Sequence, residues 1–231
     1  MNRVVLPELL DFLPPEDPAA RRSRRDLRRV NAWMNHSRLM ARALEEGLAG
    51  ASAPRLVELG AGDGQFLLGV ARRLNGHWSG AQAVLVDRLN ATVPETLDAF
   101  RRAGWHARLD IAEAGVWLRD AKKRPADVIV SNLFFHQFEA QPLAEMLRLA
   151  AKSSRLVVAL EPRRSALARL GGRLLWAIGC GPVTRHDACL SIRAGFAGRE
   201  ISALWPAPEN WLLTERPSGL FTHLFIARRK E

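Results

Sequence analysis

The sequence predicts an α/β fold in which a doubly wound, mostly parallel sheet is covered by helices on both faces. From residue 55 onward, short and continuously apolar segments alternate with segments of helical periodicity, which is typical of parallel strands buried on both sides. The chain then ends in two strand-like segments separated by a turn. These two segments predict an antiparallel hairpin at one edge of the sheet.

Seven strands are predicted. The first five span residues 55–59, 82–86, 105–110, 127–131 and 155–160, and the hairpin strands span 211–215 and 222–228 with a turn at 216–219. Helices are predicted over 66–74, over 94–103 with Thr92 in a capping box, over 112–120 and over 165–178. A shorter helix is expected to end near Trp205.

Residues 1–54 contain no strand signal and predict a helical segment ahead of a domain formed by residues 55–231. Amphipathic helices are expected over 24–34 and 39–48, the second capped by Ser37. The run of arginines at 21–25 is interpreted as the solvated face of a helix, with a nucleic-acid site as the alternative.

The formal net charge of +10 permits nucleic acid, anionic lipid or acidic small molecules as partners. The arginines are spread along the chain and are not interleaved with aromatic residues, which disfavours nucleic acid. No apolar run approaches the ~20 residues that span a bilayer, and the first residues lack the apolar centre of a signal peptide, so a cytoplasmic protein is expected. Cys180 and Cys189 lack the spacing of a metal site or disulfide, and no metal is expected. No pattern predicts an oligomeric state.

Three alternating glycines join the first strand to the helix that follows it. Gly60, Gly62 and Gly64 can adopt positive φ, and they let a ligand approach the backbone next to the unpaired amides of a helix N-terminus. The dinucleotide fingerprint would need glycine at position 65, where this chain has Gln65. The turn therefore predicts a site for a ligand with an anionic group, and it disfavours a nicotinamide enzyme.

The sequence pattern Glu-x-Gly-x-Gly-x-Gly, which begins at Glu58, resembles the first motif of the class I S-adenosylmethionine-dependent methyltransferases. After the fourth strand, Asn132, Leu133 and His136 resemble the Asn-Leu-x-x-His run of the small-molecule branch related to ubiquinone-biosynthesis enzymes. Segment 161–165, after the fifth strand, and segment 185–188, which is expected to precede the late helix, are similar to segments of methyltransferases encoded near polyketide synthases. The resemblance covers most of the chain.

This resemblance implies the seven-stranded, Rossmann-like methyltransferase fold with an N-terminal helical lid, and S-adenosylmethionine as the cofactor. It further implies transfer of a methyl group to an oxygen or carbon of a small, natural-product-like acceptor, which we expect to be phenolic or acidic. An RNA methyltransferase and a cofactor-binding protein without catalysis remain the alternatives.

The expected cofactor site comprises Glu58, Gly60, Ala61, Gly62, Gly64, Asp87, Arg88, Asp110, Ile111, Asn132 and Leu133. Asp87 ends the second strand, where a carboxylate can accept hydrogen bonds from both hydroxyls of a ribose. Asp110 could accept from the adenine amino group beside Ile111, or could cap the following helix. The acceptor is expected to contact Trp33, Met34, Phe135 and Arg163.

His136 is the candidate catalytic residue, and His186 is the next candidate. The hypothesis is that His136 positions the acceptor oxygen and partly removes its proton, and the alternative is a structural histidine. The apolar segment 174–180 is expected to pack in the core, because leucine and tryptophan at helical spacing usually face inward. Contact with a membrane surface is the alternative for this segment.

Overall fold

The computed structural model describes residues 2–74, 76–120 and 125–230. Seven strands form one sheet in the order β3-β2-β1-β4-β5-β7-β6. They are β1 Arg55–Leu59, β2 Gln82–Asp87, β3 His106–Ile111, β4 Val128–Asn132, β5 Leu156–Pro162, β6 Trp211–Ser218 and β7 Thr222–Arg229. Strands β1 to β5 are parallel, and β7 runs antiparallel to both β5 and β6. The predicted fold class is confirmed.

Helices cover both faces of the sheet. They are α1 Pro18–Trp33, α2 His36–Gly47, α3 Gln65–Arg73, α4 Pro94–Arg102, α5 Ala114–Arg119, α6 Ala140–Ser153, α7 Ala166–Arg173, α8 Pro182–Ala194 and α9 Glu200–Ala203. One apolar core joins α2, α3 and α4 to the sheet, and a second core joins α5, α6 and α9 to the opposite face. Every residue of β5 is buried, which explains why this strand is apolar at nearly every position.

The structure corrects three predicted helix boundaries. Thr92 does not cap α4, because Val93 is the N-cap and the Thr92 hydroxyl instead donates to the Gly62 carbonyl at 3.2 Å. Helix α2 begins at His36 after Asn35, whose φ of 56° turns the chain out of α1, so the predicted cap at Ser37 is wrong. The segment 185–188, which we placed ahead of a late helix, lies within α8.

The region after β5 also differs from prediction. The predicted helix 165–178 is divided into α7, capped by the Ser165 hydroxyl, and a separate 3₁₀ turn at Leu175–Ile178. Strand β6 extends to Ser218, so the hairpin turns at 219–221 and not at 216–219. The prediction that the segment 174–180 packs in the core is wrong. The side chains of Leu174, Trp176 and Ile178 are exposed, and only Cys180 at the end of the segment is buried. No helix in the described ranges is long and apolar enough to cross a bilayer.

Candidate active site

The candidate site lies where the order of the strands reverses. The chain leaves β1 for β2 on one side and returns to β4 on the other, so the loops after β1 and β4 separate at the carboxyl edge of the sheet. Ligands of open α/β sheets bind at such a point. A cavity of about 800 Å³ opens there, toward the upper end of the ~300–1,000 Å³ that is usual for ligand sites.

The glycine loop forms one wall of the cavity. Gly60 has a φ of 71°, and an added Cβ would lie 2.3 Å from the ring of Phe134, so only glycine fits there. A Cβ on Gly62 would meet no atom of the described chain within 4 Å, since that position faces the cavity. The loop therefore offers bare backbone to a ligand.

Asp87 fixes this loop from the end of β2. Its carboxylate accepts from the Gly62 amide at 2.8 Å and from the Leu89 amide at 2.9 Å. Each carboxylate oxygen has a second lone pair, so the side chain can still accept from ligand hydroxyls. The neighbouring Arg88 lines the same cavity and forms an ion pair with Asp11 at 3.0 Å.

Glu58 directs a buried carboxyl group toward the cavity. It is 1 % exposed, and its Oε2 has no hydrogen-bond partner in the described part of the chain. Burial, with smaller contributions from the negative charges of Asp63 and Asp87, raises the pKa of Glu58 well above its usual value. A cationic ligand group at this place would favour the ionised carboxylate. The ammonium group of a methionine moiety has that chemistry.

Asn132 at the end of β4 is held by a histidine that the sequence analysis missed. The Nδ1–H of His36 donates to Asn132 Oδ1 at 2.6 Å, and His36 Nε2 accepts from the Thr222 hydroxyl at 2.8 Å. Burial lowers the pKa of His36 to about 4, so its ring is neutral at physiological pH. Since both ring nitrogens are engaged in these bonds, His36 orients Asn132, which lines the cavity beside Leu133.

His136 lies between two carboxylates. Its Nδ1–H donates to Glu161 at 2.8 Å, and its Nε2–H donates to Glu8 at 3.3 Å. Burial opposes the charged ring, but the hydrogen bonds and charges of Glu161 and Glu8 outweigh it and raise the pKa of His136 to about 9. The ring is therefore an imidazolium at neutral pH while Glu8 stays in place, and its predicted role in removing a proton from the acceptor remains a prediction.

Glu161 anchors the loop after β4. Its side chain is completely buried at the end of β5. Glu161 directly follows Leu160, the residue of β5 that pairs with Asn132 of β4. It accepts from the Ser131 hydroxyl, from the backbone amides of residues 134, 135 and 136, and from the His136 ring. One carboxylate thus fixes both the backbone and the ring of His136.

Residues 3–11, here called the N-terminal strap, cover this part of the site. Arg3 donates to the carbonyls of His136 and Phe138, and Glu8 accepts from Ser191 of α8 as well as from His136. The backbone amides of residues 9 and 10 donate to Asp187. The strap therefore closes the cavity over His136.

The expected residues divide into two groups. Those that line the cavity are Trp33, Met34, Glu58, Gly60, Ala61, Gly62, Asp87, Arg88, Asn132, Leu133 and His136. Those that lie outside the cavity lining are Gly64, Asp110, Ile111, Phe135, Arg163 and His186. Cofactor and acceptor roles for the first group remain predictions.

The second group has other contacts. Asp110 accepts from the Trp117 ring N–H at 2.8 Å, and it does not cap α5, whose N-cap is Glu113. Phe135 is completely buried in the core under the sheet. Arg163 donates to the Gly219 carbonyl in the hairpin turn. His186 is half-exposed on α8 and bonded to Asp187.

The fold is shared with solved methyltransferase structures. No protein-family model and no curated protein sequence matches the chain. An O-methyltransferase family protein from Burkholderia thailandensis is 19% identical with a TM-score of 0.56, and the match covers 94% of this chain and 62% of that one. The chain has the class I methyltransferase fold. It spans 62% of the length of that O-methyltransferase.

Two further structures share this methyltransferase fold. The plantazolicin methyltransferase BpumL, solved with a desmethylPZN analog and SAH, has a TM-score of 0.65 and 13% identity over 93% of this chain and 91% of its own. The pyocyanin biosynthetic protein PhzM has a TM-score of 0.60 and 16% identity over 97% of this chain and 62% of its own. At these identities the likeness shows the fold alone.

Proposed function

We propose that the chain is an S-adenosylmethionine-dependent methyltransferase that acts on an oxygen or carbon of a small, natural-product-like acceptor. One observation carries the proposal. The glycine loop with Asp87 and the His136 ring with Glu8 line one cavity, and the buried Glu161 holds that ring from outside the lining. Structures of the same fold support it, among them the plantazolicin methyltransferase BpumL with bound SAH and the pyocyanin biosynthetic protein PhzM.

The residues around the glycine loop fit the cofactor. Asp87 would accept from the ribose hydroxyls, Glu58 would pair with the ammonium group, and Gly62 would leave its backbone open to the methionine moiety. S-adenosylmethionine supplies a methyl group already activated on a sulfonium, so the protein's main task is to hold the acceptor at near-attack distance. Leu133 has a φ of 54°, and this strained backbone beside Asn132 is a further sign of a built site.

We infer that the acceptor oxygen takes the place of the Glu8 carboxylate at His136 Nε2. An imidazolium there donates a hydrogen bond to an anionic oxygen, and Glu161 holds the ring in place from the other side. A carboxylate acceptor arrives ionised and needs no proton removal. A phenol, with a pKa near 10, would give its proton to His136 in the neutral form, because displacing Glu8 removes one of the charges that raise the pKa of the ring.

The cavity walls favour a small apolar body with one polar end. Leu27, Phe66, Phe134 and Phe138 line it together with Leu174 at the end of α7 and aliphatic side chains of the 3₁₀ turn. The N-terminal strap closes over His136, which leaves the polar end of the acceptor enclosed. We therefore prefer a small molecule to RNA and assign residues 1–54 a role as a lid.

Methyl transfer from isotope-labelled S-adenosylmethionine tests the proposal. We expect labelled product with members of a panel of phenols and hydroxyaryl carboxylic acids, together with stoichiometric S-adenosylhomocysteine. Transfer to RNA and to none of the small molecules would favour the alternative enzyme. Tight binding of the cofactor without transfer to any member of a broad panel would favour the non-catalytic alternative.

A further inference from the structure

The mouth of the cavity is flanked by an exposed apolar surface, here called the apolar rim. It consists of Leu167 and Leu170 on α7, Leu174 at the end of α7, and Trp176 and Ile178 in the 3₁₀ turn, each between 45% and 60% exposed. Single exposed leucines need no explanation, but five large apolar side chains within twelve residues form a patch. A patch of this kind marks an interaction surface.

The direction of this surface follows from how α7 packs. The helix approaches the protein with its small residues, because a Cβ on Gly171 would lie 2.4 Å from the Phe221 ring and a Cβ on Gly172 would lie 2.7 Å from Ile192. Ala168 is completely buried. Ala168 and Gly172 are four residues apart and mark the side of α7 that faces the protein. The leucines at positions 167, 170 and 174 share the side away from these two residues, since residues three and four apart lie on one face. The fold thus turns these leucines outward.

The apolar rim is continuous with the cavity. Leu174 and Ile178 are exposed and also line the cavity, and Trp33 does the same from the end of α1. The ring of Trp33 lies 5.2 Å from that of Phe221 in the hairpin turn, which brings α1, α7 and the hairpin together at the mouth. The rim and the cavity therefore share apolar side chains at the mouth.

The charge around the rim is strongly positive. Residues 162–186 contain five arginines and no aspartate, glutamate or lysine, and of the five only Arg164 is buried, where it pairs with Glu200. Helix α1 contains six more arginines and a single acidic residue, Asp26, which is buried and accepts from the Gly181 amide. Arg29 of α1 donates to the Ile178 carbonyl, so this charge lies directly beside the 3₁₀ turn. A binding partner that matches this surface must therefore be apolar where it meets the rim and anionic around that point.

We propose that the apolar rim binds the surface of an anionic phospholipid membrane. The leucines and Trp176 enter the boundary between headgroups and acyl chains, and the surrounding arginines contact lipid phosphates. An acceptor dissolved in the bilayer then reaches the cavity through its mouth, a step that rests on the proposed methyltransferase function. Lipid binding itself does not depend on that function.

Sedimentation with vesicles tests the proposal on the full chain. We expect binding to vesicles of phosphatidylcholine with phosphatidylglycerol at about 0.1 M salt, and release at about 1 M salt, where charges are screened within about 3 Å. Pure phosphatidylcholine vesicles should bind the protein more weakly. Leu167→Glu combined with Leu170→Glu should lower the partition coefficient by about tenfold or more, and Arg173→Glu by about fivefold.

A matched control is available on β6, at the end of the hairpin opposite to its turn. Leu212 of β6 is 46% exposed, similar to Leu167, and Leu212→Glu should leave vesicle binding unchanged. Retained binding of S-adenosylhomocysteine by the Leu167 and Leu170 double variant would show that it is folded, because neither residue lines the cavity.

Three outcomes would overturn the proposal. One is absence of binding to anionic vesicles at low salt. A second is equal loss of binding in the Leu212 control. The third is that the protein does not bind vesicles but uses the rim to dimerise or to bind a purified acidic carrier protein. Loss of either complex in the double variant would show this use of the rim. Methyl transfer to water-soluble acceptors would be unaffected in each case, so the proposed function would stand.

Discussion

Glu8 Oε1 lies 3.3 Å from Nε2 of His136, so a carboxylate of the N-terminal strap occupies the ring nitrogen that faces the cavity. The other ring nitrogen is held by Glu161 at 2.8 Å. An acceptor that uses His136 must therefore displace Glu8, and the strap must open for it. Glu8 in this arrangement has the charge and hydrogen-bonding capacity of an anionic acceptor oxygen.

Glu8→Gln should lower the pKa of His136 from about 9, because glutamine can still accept a hydrogen bond but carries no negative charge. A raised pKa stabilises the folded protein fully below the unfolded value near 6.5, and the contribution is lost as pH rises through about 9. In the variant, where the pKa of His136 is lower, this stabilising contribution should be fully lost at a lower pH. NMR titration of the imidazole measures the pKa, and urea unfolding at several pH values measures the stability.

Glu16→Gln is the matched control for this experiment, since Glu16 is an exposed glutamate that follows the strap. It should leave the titration of His136 unchanged. An unchanged pKa in Glu8→Gln would mean that the contact between Glu8 and His136 does not persist in solution, and the strap would lose its assigned place in the site.

His136→Ala should lower kcat/KM for a phenolic acceptor by at least ~10²-fold at neutral pH, and part of the loss should be recovered as pH approaches the pKa of the phenol. For a carboxylic acid acceptor the loss should appear mainly in KM, because that acceptor is already ionised and loses only its hydrogen-bond donor. Steady-state kinetics with one acceptor of each class separates these roles.

His186→Ala is the comparison variant, because His186 was the second catalytic candidate and lies half-exposed on α8 outside the cavity lining. We expect rates close to those of the parent. A near-parental rate in His136→Ala with a large loss in His186→Ala would reverse the assignment.

His36 should make the protein sensitive to acid. Its pKa is about 4 in the folded state and near 6.5 when unfolded, so the neutral ring stabilises the fold above pH 6.5, and this contribution is lost as pH falls toward 4. At pH 5 the unfolding free energy should have dropped by about 2 kcal/mol from this group alone. Urea unfolding of the parent and of His36→Gln at pH 7 and pH 5 isolates the effect.

The glutamine side chain of that variant cannot take up a proton, so the stability of the variant should fall less between the two pH values. His77→Gln is the control, since His77 is mostly exposed and its removal should leave the pH dependence as in the parent. Equal slopes in the parent and in His36→Gln would contradict a buried neutral ring at this position.

The sheet was predictable from sequence because each buried strand is a continuous apolar run with polar or glycine residues at its end. Both ends of β1 were predicted correctly. Residues that follow β1, β2 and β4 line the cavity, because these parallel strands end at the same edge of the sheet. His36 and Glu8 gave no such signal, because they reach the site across long sequence separations. Glu161 could have been found, since a carboxylate at the end of a fully buried strand needs partners.

The apolar segment after α7 shows where periodicity fails. Leucines at positions 167, 170 and 174 have the spacing of a core helix, and spacing alone cannot tell which side of a helix the protein covers. Here Ala168 and Gly172 decide the matter, because Ala168 is completely buried and a Cβ on Gly172 would lie 2.7 Å from Ile192, which places both residues on the side away from the leucines.

Calorimetric titration with S-adenosylhomocysteine tests the central claim most directly, because binding at the glycine loop does not require a known acceptor. We predict micromolar binding, within the ~1 μM–1 mM range common for enzyme ligands. In Asp87→Ala the affinity should fall by about tenfold or more. The substitution removes the carboxylate that accepts from the Gly62 amide and that we expect to accept from the ribose hydroxyls. Asp98→Ala, on the exposed side of α4, should bind as the parent does. Binding of NADH without binding of S-adenosylhomocysteine, or equal affinity in Asp87→Ala and the parent, would contradict the account.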